Sequence, residues 1–254
     1  MYGRRRVCAA VSFAVAFLVL TECQSPGPAL AGDDDEARII LFSGRDLWRN
    51  GVFAYGGLLV APGGFEQDGL MFKLLLSGGL YRYRSGNLGG EDVIGTEWQT
   101  QILPGARVKR GNAEFKLFFG PEWQTHRLRP DDTANRLRGQ SFGLRFAGEL
   151  WYEPTPLTLI AADAALSTID TSHSGRLAFG WRVADRIFNG EGFYVGPEGQ
   201  TFGADGYRHW RLGFHITSLK TDGTEWSAAG GFARDSDGNA SPYVRLNVSA
   251  RIGN

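Results

Sequence analysis

The sequence predicts an all-β chain: an antiparallel transmembrane β-barrel of about 12 strands, with 10–14 allowed, in an outer membrane. Three observations lead there. Beyond the first thirty or so residues, short segments alternate apolar and polar side chains and are separated by Gly, Asp, Asn and Pro. Several segments run about 10–13 residues, long for a sandwich strand of roughly five or six and matched to the ~9–11 that cross a bilayer on a tilt. Arg and Glu recur in the middle of the polar faces, where a barrel can enclose and pair them. A soluble antiparallel sandwich explains the alternation equally well; segment length and the mid-segment ions favour the barrel.

The head of the chain is different. Arg4, Arg5 and Arg6 precede an apolar run from Val7 to Leu20, about 14 residues and short of the ~20 that span a membrane as a helix. Ala29-Leu30-Ala31 offers a small-residue cleavage site. Residues 1–31 are therefore expected to be a signal peptide, 32–38 an acidic lead and 39–254 the barrel domain. Glu22, a bulky acid before Cys23, argues against lipidation there. Cys8 and Cys23 are the only cysteines and both lie in the leader, so the exported part has no thiol for a disulfide, nucleophile or metal. Formal net charge is zero and no basic tract suits a nucleic acid. Thirty-six Gly, 17 Phe, 8 Tyr and 7 Trp suit curved sheets with interfacial girdles.

The strands follow in order. Ile39–Phe42 starts the first, and Val52–Val60 is the second, closed by Ala61-Pro62-Gly63-Gly64. Leu70–Tyr83 is long enough for a tilted span, with a loop at Ser85–Asp92. Thr96–Lys109 is interrupted by Pro104-Gly105 and turns at Arg110-Gly111-Asn112. Ala113–Trp123 sets Phe115, Leu117, Phe119 and Trp123 against Glu114, Lys116 and Glu122. After a charged loop at Arg129–Arg138, Ser141–Tyr152 alternates as cleanly, then Pro154 and Pro156 bracket a short turn into Leu157–Ser167. Ser174–Val183, Gly192–Phe202, Tyr207–Leu219, Thr224–Ala233 and Tyr243–Ile252 complete the set. Phe119-Gly120-Pro121-Glu122-Trp123-Gln124 is echoed by Val195-Gly196-Pro197-Glu198-Gly199-Gln200. A duplicated hairpin or a shared backbone solution explains the echo, with Pro placed where no ladder N–H is needed or at a bulge.

The polar faces supply the candidate lumen: Lys116, Glu122, Arg145, Glu149, Arg176, Arg182, Glu198, Arg211 and Arg245. A barrel of this size can fill its interior with such charges or leave a narrow water path. The tryptophans at 48, 98, 123, 151, 181, 210 and 226 suit interfacial girdles. Aromatic rings near loops can also stack on the apolar C–H faces of sugars, with Tyr81, Tyr83, Trp151 and Tyr152 as possible saccharide contacts. No metal is expected: His209 and His215, six apart on one strand, lie about 20 Å from each other. Nor is an enzyme or a cofactor. His173-Ser174 and His126 with Asp131 or Asp132 are nominal hydrolase pairs. However, adjacent strand residues point opposite ways, and no Gly-x-Ser-x-Gly elbow occurs.

Several blocks together resemble a known family: Leu41-Phe42-Ser43-Gly44-Arg45-Asp46, residues 73–83, residues 119–124, Leu150-Trp151-Tyr152-Glu153-Pro154-Thr155-Pro156 and Trp226-Ser227-Ala228-Ala229-Gly230-Gly231. They look like the alphaproteobacterial cellulose biosynthesis protein BcsS family, over roughly Ile39 to Arg251. The resemblance implies a link to cellulose production and carries over no catalytic residues. In cellulose systems another outer-membrane component exports the glucan, so the implied role is accessory. Expected partners are outer-membrane lipid and cellulose or its secretion machinery. The rival functions are a narrow channel for small solutes or saccharides, a lipid-modifying barrel enzyme, and a soluble periplasmic carbohydrate-binding β-protein.

Overall fold

The structure is a computed structural model that describes residues 37–183, 192–204, 207–221 and 223–252. The expected signal peptide and most of the acidic lead lie outside the described residues. Twelve strands close on themselves: β1 (Ile39–Trp48), β2 (Gly51–Val60), β3 (Gly69–Ser85), β4 (Glu91–Arg110), β5 (Ala113–Arg129), β6 (Gly139–Thr155), β7 (Thr158–Ser167), β8 (His173–Val183), β9 (Phe193–Ala204), β10 (Tyr207–Thr221), β11 (Thr224–Asp235) and β12 (Ala240–Ile252). Every neighbour in sequence is a neighbour in space, and β1 pairs with β12 in an antiparallel register from Ile39↔Ile252 to Trp48↔Tyr243. An even strand number places residues 39 and 252 at one end, the terminal end; the other is the loop end. In bacterial outer-membrane barrels the terminal end faces the periplasm.

Side chains alternate as the pleat requires. Outward positions carry Phe72, Leu76, Trp98, Leu117, Phe142, Phe146, Leu177, Leu212, Phe214 and Phe232, all exposed. Such a belt on a closed sheet is stable only in hydrocarbon, because a soluble surface does not leave so large an apolar patch uncovered. Trp181 and Trp226 lie on it towards the terminal end and Trp98 and Trp210 towards the loop end, as girdle residues. Trp48 and Trp151 depart from the expected girdle: the first packs on buried His209 and the second on Tyr194, both inside the barrel.

The interior is not polar throughout. Leu59, Ala61, Phe65, Met71, Leu103 and Phe118 form a buried apolar cluster, with Ile40, Phe42 and Ala147 against it. These are inward positions of β1–β6 in the half near the terminal end, joined by Phe65 from the loop 61–68. A single apolar residue between polar neighbours reads as noise along one strand; six from five segments make a local core.

One expectation needs correction, and the prolines take the first of their two alternatives. The loop at 85–92 is shorter, because Ser85, Glu91 and Asp92 continue β3 and β4 and pair Ser85↔Glu91 and Arg84↔Asp92. β5 likewise runs on to Arg129. Above the lipid an outward side chain need not be apolar, so the strand continues while its hydropathy signal stops. The two proline sites are not bulges. The β4–β5 ladder opens between Gln101↔Glu122 and Gly105↔Phe118, and the β8–β9 ladder between Ala178↔Glu198 and Trp181↔Val195. Each opening removes equal numbers from both strands and holds the proline that has no N–H to give. The preceding glycine lets the backbones close in: a Cβ on Gly120 would stand 2.2 Å from the Ile102 carbonyl oxygen, and one on Gly196 1.9 Å from that of Phe179.

Candidate functional site

The lumen is organised around two buried glutamates, and they are the two of the repeated Gly-Pro-Glu-x-Gln. Each points inward from the strand just past its proline. Glu122 accepts hydrogen bonds from Gln101 Nε2 (3.3 Å), Gln124 Nε2 (3.1 Å), Arg145 Nη1 (3.1 Å), Gln99 and Ser167. Glu198 accepts them from Arg176 Nε (2.9 Å), Gln200 Nε2 (2.5 Å), Tyr243 Oη (3.1 Å) and Arg245 Nη2 (2.8 Å). In both, the Gln two residues on and an Arg from an adjacent strand meet the carboxylate. A buried carboxylate is tolerable only with such pairing. At the second site His215 Nε2 lies 3.1 Å from the Phe179 carbonyl, which stands opposite Pro197, and takes the place of the missing N–H.

Further pairs brace the wall. Lys73 meets Glu149 across two intervening strands, while Lys116 reaches Glu114 (2.8 Å) and Arg107 also reaches Glu114 (2.8 Å). Arg211 grips Asp46 with both Nη atoms, at 2.5 and 2.7 Å. Lys116, Glu122, Arg145, Glu149, Arg176, Arg182, Glu198, Arg211 and Arg245 all fall on inward positions.

Two chambers stand out among the described residues. One, of about 560 Å³, lies beside Lys73, Lys116, Arg145 and the small residues of β7. The other, of about 840 Å³, opens at the loop end and is lined by Trp48, Phe53, Tyr81, Tyr83, Phe202 and Tyr207 among others. Gln99 borders both, so the cluster on Glu122 is the partition between them. The mouth has two aromatic walls. Tyr81 and Tyr83 stack at 6.2 Å between centroids; Tyr81 Oη is 3.0 Å from His126 Nδ1, and Tyr83 Oη donates to Asp132 Oδ2 at 2.9 Å. Around the same mouth Trp48, two strands from Tyr81 in one row, and Phe202 pack on His209 at 4.1 and 4.2 Å. His209 is buried and neither ring nitrogen has a hydrogen-bond partner. Glu97, Gln99 and Gln124 line the same cavity with polar groups.

Of the four expected saccharide contacts, the structure brings Tyr81 and Tyr83 together at this mouth. Trp151 and Tyr152 lie at the terminal end, the first inward and bonded to Glu153 (3.1 Å), the second facing outward. Sequence reasoning missed Phe53, Phe202 and Tyr207 and gave Trp48 to the girdle. Their inward parity beside a strand end was the available signal. Of the nominal hydrolase residues, His126 is bonded to Tyr81 and Gln124, Asp131 to Arg138 and Asp132 to Tyr83. Among the described residues no three His, Cys, Asp or Glu side chains stand at metal-holding distance.

Comparison with known proteins agrees with this architecture. The family described as cellulose biosynthesis protein BcsS matches residues 40–252. No curated protein sequence matches the chain. Among solved structures, an outer-membrane channel from Pseudomonas putida F1 is similar with a TM-score of 0.53 at 12% identity, over 90% of this chain and 100% of that one. The β domain of the Bordetella autotransporter BrkA gives 0.47 at 13% identity, over 86% and 100%. A KdgM porin gives 0.42 at 9% identity, over 84% and 99%. At these identities the likeness to the channel shows the fold alone.

Proposed function

The chain belongs to the cellulose biosynthesis protein BcsS family, and from that premise we propose that this outer-membrane barrel assists cellulose secretion or surface attachment by holding a stretch of glucan in its loop-end mouth. It makes and breaks no bond. One observation carries the reading: an aromatic-walled cavity of about 840 Å³, open at the loop end, with amide and carboxylate groups between its walls. Its size and mixed lining are those of a ligand pocket. A β-linked glucose ring offers flat C–H faces to aromatic rings and a rim of hydroxyls to planar polar groups. Tyr81, Tyr83 and Trp48 supply the faces; Glu97, Gln99 and Gln124 supply hydrogen-bond partners. The loops at 86–90 and 130–138 stand over this cavity, where a secretion partner can also reach.

The test is calorimetric titration of folded barrel in detergent with cellohexaose, with maltohexaose as the control. Binding of the β-linked oligomer is expected, weakened roughly tenfold by Tyr81→Ala with Tyr83→Ala, since each lost aromatic face costs about 0.5–1.5 kcal/mol. Absence of any heat for cellohexaose at millimolar concentration sinks the proposal.

A further inference from the structure

The outer face of the barrel carries a charged patch at the loop end, and two of its arginines, Arg82 and Arg84, also border the loop-end cavity. Arg82 and Arg84 on β3 and Arg127 and Arg129 on β5 occupy outward positions in unbroken ladders. Register fixes their spacing. Arg82 pairs with Ile94 and Ile94 with Arg129, so these two arginines sit in one row, about 10 Å apart across a single strand. Arg84 is the next outward residue above Arg82, and Arg127 the next below Arg129. All four are exposed. On the same faces exposed Ile94 lies between Arg82 and Arg129 in their row, exposed Leu80 lies one outward position below Arg82, and exposed Trp98 lies lower still. The four guanidinium groups therefore sit where the apolar belt gives way to the headgroup region at the loop end.

Their pairing is unusual for this molecule. Arg84 meets one exposed carboxylate, Asp92, at 3.5 Å. The guanidinium groups of Arg82, Arg127 and Arg129 make no ion pair or hydrogen bond among the described residues. At the rim of the terminal end two cations are paired, Lys109 with Glu66 at 2.9 Å and Arg110 with Asp68 at 2.5 Å. Within the lumen Lys73, Arg107, Lys116, Arg145, Arg176, Arg211 and Arg245 each meet a carboxylate. On β3 and β5, with only β4 between them, three arginines thus stand without a carboxylate partner of their own among the described residues, at the edge of the apolar belt.

We infer that this patch on β3–β5 is a binding site for the phosphorylated headgroup of an outer-leaflet lipid. The planar guanidinium fork matches phosphate oxygens bidentately, and its charge-assisted hydrogen bonds are among the strong ones. Arginines set around a leucine, isoleucine and tryptophan surface complement a lipid whose phosphates stand over acyl chains. The geometry also holds β3, β4 and β5, the strands that rise highest at the loop end, at a fixed depth in the bilayer.

Native mass spectrometry of the folded barrel in detergent tests this with bisphosphorylated lipid A, its dephosphorylated form and inorganic phosphate as probes. The expected result is retention of the phosphorylated lipid at least tenfold above the dephosphorylated one, unaffected by millimolar inorganic phosphate. The variant Arg82→Gln/Arg127→Gln/Arg129→Gln should lose that preference, while Lys109→Gln/Arg110→Gln at the other rim keeps it. Heat-modifiable gel mobility confirms that each variant is folded, and Arg129→Gln alone, expected to lower retention at least threefold, serves if the triple variant is not. Equal retention of both lipids by the native barrel overturns the assignment. So does retention unchanged in the arginine variants, or full displacement by inorganic phosphate. Arg129, Lys109 and Arg110 do not line the loop-end cavity, so cellohexaose binding is expected to survive in Arg129→Gln and in Lys109→Gln/Arg110→Gln.

Discussion

At the residue scale, the repeated Gly-Pro-Glu-x-Gln shows how a short motif becomes geometry. The proline opens the ladder to the preceding strand, the glycine lets a neighbouring carbonyl approach, and the glutamate becomes a hub. The glycine is the least replaceable member. Gly196→Ala would set a methyl 1.9 Å from the Phe179 oxygen, a backbone atom that cannot swing aside. A loss of about 1–3 kcal/mol is expected, read as a lower urea midpoint in micelles. Gly63→Ala meets nothing within 4 Å and should leave the midpoint unchanged. The glutamates were legible as lumen residues, because their parity opposes Phe119 and Trp123 on one strand and no apolar residue shares their face at that height. Their partners were not legible. Ser167 and Tyr243 are 45 residues from the carboxylates they bond, and only closure of the sheet brings them there.

At the scale of elements, all twelve strands were readable, and the errors gather at one place. Ser85, Glu91 and the stretch from Gln124 to Arg129 belong to strands that rise beyond the lipid, where alternation no longer separates apolar from polar. The loop that caps this rise, 130–138, is tied down by ionised groups. Hydrogen bonds from Ser85 and then Tyr83 hold the Asp132 carboxyl below its ordinary value of 3.8, and Arg138 does the same for Asp131. A depressed carboxyl stabilises its folded form above the unfolded pKa and loses that contribution as pH falls through the folded one. Hydrogen exchange in 130–138 should therefore stay flat in its protection from pH 8 to 5 and lose protection only below about pH 4. Asp132→Asn should remove the acid-dependent step; a step persisting near pH 4 in that variant would assign it elsewhere.

For the whole molecule, the question is what can pass. The Glu122 cluster divides the lumen, and the apolar cluster of Phe65, Met71, Leu103 and Phe118 fills one side of its terminal half. A cup open at the loop end fits this better than a free pore. In planar bilayers the barrel should give conductance well below that of a water-filled porin. Phe65→Ala with Phe118→Ala, which empties the apolar cluster, should raise it at least severalfold. Steady large openings in the unaltered protein would argue for the channel reading, and neutralising Arg145 and Arg182 would then change them. That interior core was the part of the architecture hardest to foresee. Each member occupies an inward slot between polar neighbours, and nothing local distinguishes it from an irregularity of the pattern.

The contact between β1 and β12 has a temporal meaning as well as a spatial one. Its ten paired positions join the first strand to the last. The seam cannot be sewn until β12 has been synthesised and has crossed the inner membrane. Until then both margins are unmated and would zip onto any other extended chain. A copy stopped one strand early has no stable way to hide them, so premature termination should yield a polypeptide cleared by proteases rather than a smaller working barrel.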